Sequence, residues 1–150
     1  SFSGDHNARG LFNYSDEMLL NKYAVPFYIY APKRYRRKQV FDPSRFGSHK
    51  DIFPTLFHLS LSGKRYFKTG NNMVSKTGDF YALHANTLFF PQGAISSSIS
   101  YKWKTPSKQK LVPSDQNKDF EAIQTKANAL QAARDYYIRS QDQDIQIKNN

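Results

Sequence analysis

Gly4-Asp5-His6-Asn7 is the first stretch of the chain whose residue types could do chemistry. A carboxylate beside an imidazole is a donor pair that suits zinc or manganese. Adjacent residues on a strand point to opposite faces. For Asp5 and His6 to meet one ion, the chain must turn there, just past a strand end. Gly4 permits such a turn. In open α/β sheets, ligand groups gather at the carboxyl ends of strands. A plainer reading stands beside this one, in which Asp5 caps the next turn and His6 is a surface histidine. Arg9 either pairs with an anionic substrate or is a solvated arginine.

The elements that must position these groups follow from pattern. Ser15 can cap a short helix over 16–22, through Met18-Leu19-Leu20. Residues 25–31, Val-Pro-Phe-Tyr-Ile-Tyr-Ala, are β-rich and almost continuously apolar, which suits a buried parallel strand. Pro26 fits its start and Pro32 ends it. Residues 33–50 hold seven of the 22 basic residues against one acid, Asp42, and Pro43 and Gly47 mark them as loop. Asp51 can cap a helix with Pro54 in its first turn, where no N–H is needed. Ile52, Leu56 and Leu59 form its apolar stripe, and it should stop near Gly63.

Strand character at 80–84, 87–91 and 95–103, with a Pro91-Gln92-Gly93 turn, predicts a small antiparallel sheet. Residues 105–115, with Pro106 and Pro113, read as a polar linker. Phe120, Ile123, Ala127, Leu130 and Tyr137 recur at helical spacing and predict a helix over 117–140. The polar tail 141–150 is expected to fray.

Composition sets the bounds. At 150 residues the chain has the size of one domain and can bury a real core. With no cysteine, a disulfide scaffold, Cys-ligated zinc, an iron–sulfur site and a cysteine nucleophile are excluded within these residues. A hydrophobic content of 39% is too rich for a disordered chain. The formal charge of +10 invites a phosphate-bearing partner, either nucleic acid or anionic lipid. No run approaches the roughly 20 apolar residues that span a bilayer.

Three motifs in order then point further. Asp5-His6-Asn7 is followed by Val25-Pro26-Phe27-Tyr28-Ile29-Tyr30-Ala31-Pro32, and that by Ser48-His49-Lys50-Asp51-Ile52-Phe53-Pro54-Thr55-Leu56. The set resembles the C-terminal part of the sulfatase and alkaline-phosphatase superfamily. It is closest to the membrane-anchored lipoteichoic acid synthases, phosphoglycerol transferases and phosphoethanolamine transferases. The likeness covers residues 3–63 by motif and the rest by layout.

It implies an α/β fold: a fragment of an alkaline-phosphatase-like sheet over 1–63 with the Asp-His element. A small antiparallel sheet over 64–104, a linker over 105–116, and a C-terminal helix and tail over 117–150 packed on that sheet would follow. It implies that Asp5 and His6 hold a divalent metal ion (zinc, manganese or calcium) for transfer or hydrolysis of phosphate or sulfate esters in the cell envelope. The parent would be anchored in the inner or plasma membrane through a preceding segment, with its catalytic domain outside the cytoplasm. The family's nucleophile and remaining ligands lie N-terminal to the Asp-His element, so these residues alone are expected to be inactive.

His49 stands where relatives often carry a neutral polar residue. It is either a third ligand, a donor to a substrate phosphate, or a residue that shapes the turn. Asp51 and Thr55 read as structural. The competing hypothesis is a non-catalytic basic module for anionic polymer, lipid surface or nucleic acid. No pattern of a known RNA-binding module is present, so nucleic acid is not the expected partner. An unpaired sheet edge also predicts dimerisation or strand exchange.

Overall fold

The computed structural model describes residues 1–6, 12–36, 38–61, 63–66, 68, 70–84, 86–115 and 118–148, with side chains at all of these except 2, 118, 119, 134 and 141–148. Its Cα framework divides into two units, residues 1–115 and 116–150.

Strand β1 (Phe2–Ser3) pairs antiparallel with β2 (Phe27–Tyr28), Phe2 opposite Tyr28 and Ser3 opposite Phe27. The sequence predicts a buried parallel strand over 25–31, and the structure corrects this. Phe27 and Ile29 are half-buried and Ala31 is buried, while Tyr28, Tyr30 and Pro32 face solvent. A tyrosine counts as β-forming and aromatic, yet its hydroxyl lets it sit in water. An apparently continuous apolar run was therefore an alternating one. Between the two strands lies α1, a 3₁₀ turn at Asp16–Met18 that runs into Leu19–Tyr23. Ser15 precedes it as expected, but caps it only through its backbone, whose carbonyl accepts the Met18 N–H at 2.8 Å. The expected loop opens with a single helical turn, α2 (Lys33–Arg36).

The next helix, α3 (Ile52–Ser60), follows a 3₁₀ turn at His49–Asp51. Asp51 is not its first cap. Ser48 occupies that place, and Asp51 reaches back from three residues on to accept the Ser48 N–H at 2.7 Å. Asp51 is 1% exposed and also accepts the Asn71 N–H at 2.6 Å and the Lys50 ammonium at 2.8 Å. Thr55, one turn on, donates to the Asp51 carbonyl at 2.6 Å and accepts the Met73 N–H at 2.9 Å. One carboxylate and one hydroxyl thus tie the 70–74 loop to the start of α3.

Gly70 lies inside this knot. A Cβ there would collide with the Lys50 carbonyl oxygen and come within 2.6 Å of Asp51 Oδ1. The first obstacle is backbone and the second is held by the Asn71 N–H and the Lys50 ammonium, so neither can yield cheaply. Gly70→Ala is expected to destabilise unit 1 by about 2–3 kcal/mol, a cost typical of overpacking. Urea denaturation measures it.

Strands β3 (Ala82–His84), β4 (Thr87–Phe90), β5 (Gly93–Ser96), β6 (Ile99–Trp103) and β7 (Leu111–Pro113) form an antiparallel meander in chain order. The fold is mixed α/β with a small antiparallel sheet, as the sequence implies. Two details differ. The predicted strand over 95–103 is two strands, separated by Ser97 and Ser98 at φ 47° and 71°. Residues of that hand normally announce themselves as Asn or Gly. The predicted linker over 105–115 contains β7, where Leu111 is wholly buried opposite Trp103.

One face of the sheet carries the register row Ala82, Phe89, Ala94 and Tyr101. Phe89, Ala94 and Tyr101 join Leu19, Phe46 and Leu111 in the core, with Leu20, Tyr23 and Trp103 against it. Phe46 stacks on Trp103 at 5.5 Å between centroids. The basic loop is therefore bolted to the sheet by its one buried aromatic ring.

The second unit holds α4 (Lys118–Lys148). It runs past the predicted end at 140 into the expected tail. Of its predicted stripe, Phe120 and Ala127 are buried and Ile123 half-buried, whereas Leu130 and Tyr137 are exposed. Among the described residues, no helix is long and apolar enough to cross a membrane.

Candidate metal and substrate site

The site is built where β1 ends. The Gly4 N–H donates to the Pro26 carbonyl at 3.2 Å, which carries the β1–β2 pairing one residue further. The chain then bends at Asp5 and His6. The bend is closed locally, because the His6 backbone N–H donates to Asp5 Oδ1 at 2.9 Å. It leaves Asp5 Oδ2 and His6 Nε2 3.6 Å apart. The turn the sequence requires for a shared ion is present, and the two contacts are made by different oxygens of one carboxylate. The next turn, which the plainer reading has Asp5 cap, falls on residues 7–10, outside the described residues.

Both side chains are open to solvent, Asp5 at 89% and His6 at 68%. The Asp5 carboxyl is held below the usual aspartate range. The His6 backbone N–H is the largest cause, followed by its own backbone N–H and then by the His6 and His49 rings. Its contribution is therefore present above the unfolded-state value and drains away as pH falls through the folded one. A carboxyl ¹³C titration should place Asp5 below the usual aspartate range, as it should Asp42, whose carboxylate accepts from the Ser44 hydroxyl and backbone N–H. In His6→Ala most of that depression should remain, since the backbone donor survives. A return to the usual range would mean that the ring, not the bend, holds the charge.

His49 comes to the same place from the other side of the chain. Its ring Nε2 lies 2.8 Å from the Gly4 carbonyl oxygen. A carbonyl only accepts, so Nε2 carries the proton. In the neutral ring Nδ1 is then the lone-pair nitrogen. The position of His49 follows from the Asp51 knot and from Ser48, whose Oγ accepts the Leu83 N–H at 2.8 Å and fixes the turn to the edge of the sheet. His49 is thus brought to the Asp-His element, as a partner of the residue before it. Among the described residues, no group of three His, Cys, Asp or Glu is close enough to hold an ion together. Arg9 lies outside the described residues.

A cleft of about 820 Å³ opens beside these groups. Asp5, His6, His49 and Ser3 contribute polar lining, and Phe27, Ile29, Phe46 and Phe89 contribute apolar wall. Arg45 and Lys108 line it too. Arg45 is committed to structure: its guanidinium donates to the carbonyls of Met73 and Ser75 and covers the Phe80 ring at 4.1 Å. Lys108 sits 5.3 Å above the Phe46 ring on the loop between β6 and β7. The sequence alone does not single it out, because residues 105–115 read as linker. The available signal was Thr105-Pro106-Ser107-Lys108, a turn sequence between two short β-rich runs.

Comparison with protein-family models, with curated proteins and with solved structures finds no match.

The donor set can be tested for fit on geometry alone. Two ligands about 2.0–2.1 Å from a tetrahedral zinc ion lie about 3.3 Å from each other. The 3.6 Å between Asp5 Oδ2 and His6 Nε2 is close to that separation, and the carboxylate is held in its ionised, ligating form. Asp5 and His6 fit as two ligands of one divalent ion.

Proposed function

We propose that this chain supplies the Asp-His metal-ligand element and one wall of the substrate cleft of a metal-dependent transferase or hydrolase acting on phosphate or sulfate esters. The observation that carries the reading is the 3.6 Å pairing of Asp5 Oδ2 with His6 Nε2 at the mouth of the cleft. The resemblance of three ordered motifs to the sulfatase and alkaline-phosphatase superfamily supports it. In that reading the nucleophile and the other ligands belong to sequence N-terminal to Asp5, and the whole protein is membrane-anchored with this part outside the cytoplasm.

A divalent ion bound here supplies Lewis acidity and neutralises charge on the transferring group. The residues do the rest. Asp5 and His6 hold the ion. His49 grips the Gly4 carbonyl and so fixes the bend that aims both ligands. Lys108 attracts the ester's negative charge into the cleft, and the wall of Phe27, Ile29 and Phe46 keeps water from one side of it.

The test uses the protein encoded by the complete reading frame around these residues. It should cleave bis(p-nitrophenyl) phosphate or p-nitrophenyl sulfate with manganese or zinc, lose that activity to a chelator and regain it on adding metal. The two substrates separate phosphate from sulfate chemistry. Activity indifferent to chelation would overturn the reading.

A further inference from the structure

The outward face of residues 28–36, with Lys38, joins exposed aromatic rings to cations. Alternation along the strand buries or half-buries Phe27, Ile29 and Ala31 and leaves Tyr28, Tyr30 and Pro32 outside. Tyr30 is 86% exposed and Tyr28 57%. The chain then turns at once into α2, whose Lys33, Arg34, Tyr35 and Arg36 are all exposed, followed by exposed Lys38. The turn is held by the Tyr35 N–H on the Pro32 carbonyl at 2.9 Å. Arg34 lies 4.8 Å over the Tyr35 ring. Phe41 is exposed just beyond. No acidic residue occurs between Glu17 and Asp42.

Exposed aromatic rings immediately beside a run of cations form a surface with two preferences. Tyrosine rings favour the boundary between apolar chains and water. Lysine and arginine near an anionic membrane surface gain about 1 kcal/mol each. We infer that residues 28–36, with Lys38, form a peripheral contact with an anionic lipid bilayer, the tyrosines entering the headgroup layer and the cations meeting lipid phosphates. Nucleic acid would use the cations equally well. It would draw less from Tyr28 and Tyr30, which lie on an extended segment ahead of the cations and not interleaved with them. Binding of this kind is independent of the metal reading, because none of these residues belongs to the Asp-His element.

The experiment is co-sedimentation of the chain with vesicles of phosphatidylcholine containing 30% phosphatidylglycerol, against pure phosphatidylcholine. Binding is expected only to the anionic vesicles and should weaken with salt. The triple variant Lys33→Gln/Arg34→Gln/Arg36→Gln should lower partitioning about 100-fold, from three charges at the quoted value. The matched control, Lys102→Gln/Lys104→Gln/Lys110→Gln, removes the same charge from exposed positions of the β6–β7 hairpin and should lower it less than tenfold. Tyr28→Ser/Tyr30→Ser should weaken vesicle binding several-fold without changing binding to a single-stranded oligonucleotide. Circular dichroism checks that each variant is folded. Equal losses in both lysine and arginine triples would reduce the effect to net charge and overturn the inference. So would an unaffected tyrosine variant, or binding to oligonucleotide alone.

Discussion

Asp51→Ala should destabilise unit 1 by about 4 kcal/mol or more, close to the whole stability of a marginal domain. The side chain serves three donors at once: the backbone N–H groups of Ser48 and Asn71 and the Lys50 ammonium. Its removal leaves two backbone donors without their acceptor, each costing about 1–3 kcal/mol, and takes the carboxylate from beside a cation whose side chain is only 14% exposed. The Tyr81 ring, 4.6 Å from Lys50 Nζ, recovers little of that. For a chain of this size the loss corresponds to a fall in melting temperature of about 10–15 °C. Asp51→Asn should sit between, since one carbonyl oxygen still accepts while its amide faces a donor. Thermal and urea melts of both variants measure the effect. A change below about 1 kcal/mol for the alanine variant would mean the knot around Gly70 and Thr55 holds without its carboxylate.

The second large effect should be on function and not on stability. In the protein carrying the complete reading frame, Asp5→Asn and His6→Ala should each lower metal-dependent ester cleavage by about 10³-fold, several kcal/mol of transition-state stabilisation. Both side chains are open to solvent, so the melting curves should move within the ±0.5 kcal/mol usual for surface changes. The contrast with Asp51 is the informative part. Asp51 is buried and Asp5 is open to solvent, so the proposed function expects the first to act on stability and the second on activity. His49→Gln, which can keep an N–H on the Gly4 carbonyl, should retain more activity than His49→Ala. Equal activity of Asp5→Asn and the parent would remove the metal assignment.

What the sequence reveals depends on whether a feature is made by neighbours or by distant residues. The helix at 16–22 and the long helix from 117 were legible from local caps and periodicity. So was the hairpin at Pro91-Gln92-Gly93. The Ser97-Ser98 turn was not, because serine gives no sign of a positive φ. Strand β7 was hidden by its brevity and by Pro113, and only its pairing with Trp103 makes it a strand. The parallel strand expected over 25–31 failed because Tyr28 and Tyr30 were counted with the core. At the site, the Asp5-His6 bend was readable from Gly4 and from strand alternation. That His49 comes near the Asp-His element was readable from the order of the motifs, but its partner, the Gly4 carbonyl 45 residues away, was not. Nor was Lys108, whose place in the cleft depends on the β6–β7 pairing.

The central claim is that Asp5 and His6 hold one divalent ion. Paramagnetic broadening by manganese in the ¹H–¹⁵N spectrum of the chain tests it directly, since it detects even weak sites. At substoichiometric Mn²⁺ the amides of Gly4, Asp5, His6 and His49 should broaden first, and in Asp5→Asn that set should stay sharp. Broadening that begins elsewhere, around Asp42 or Asp79 for example, or that persists at His6 in Asp5→Asn, would contradict it.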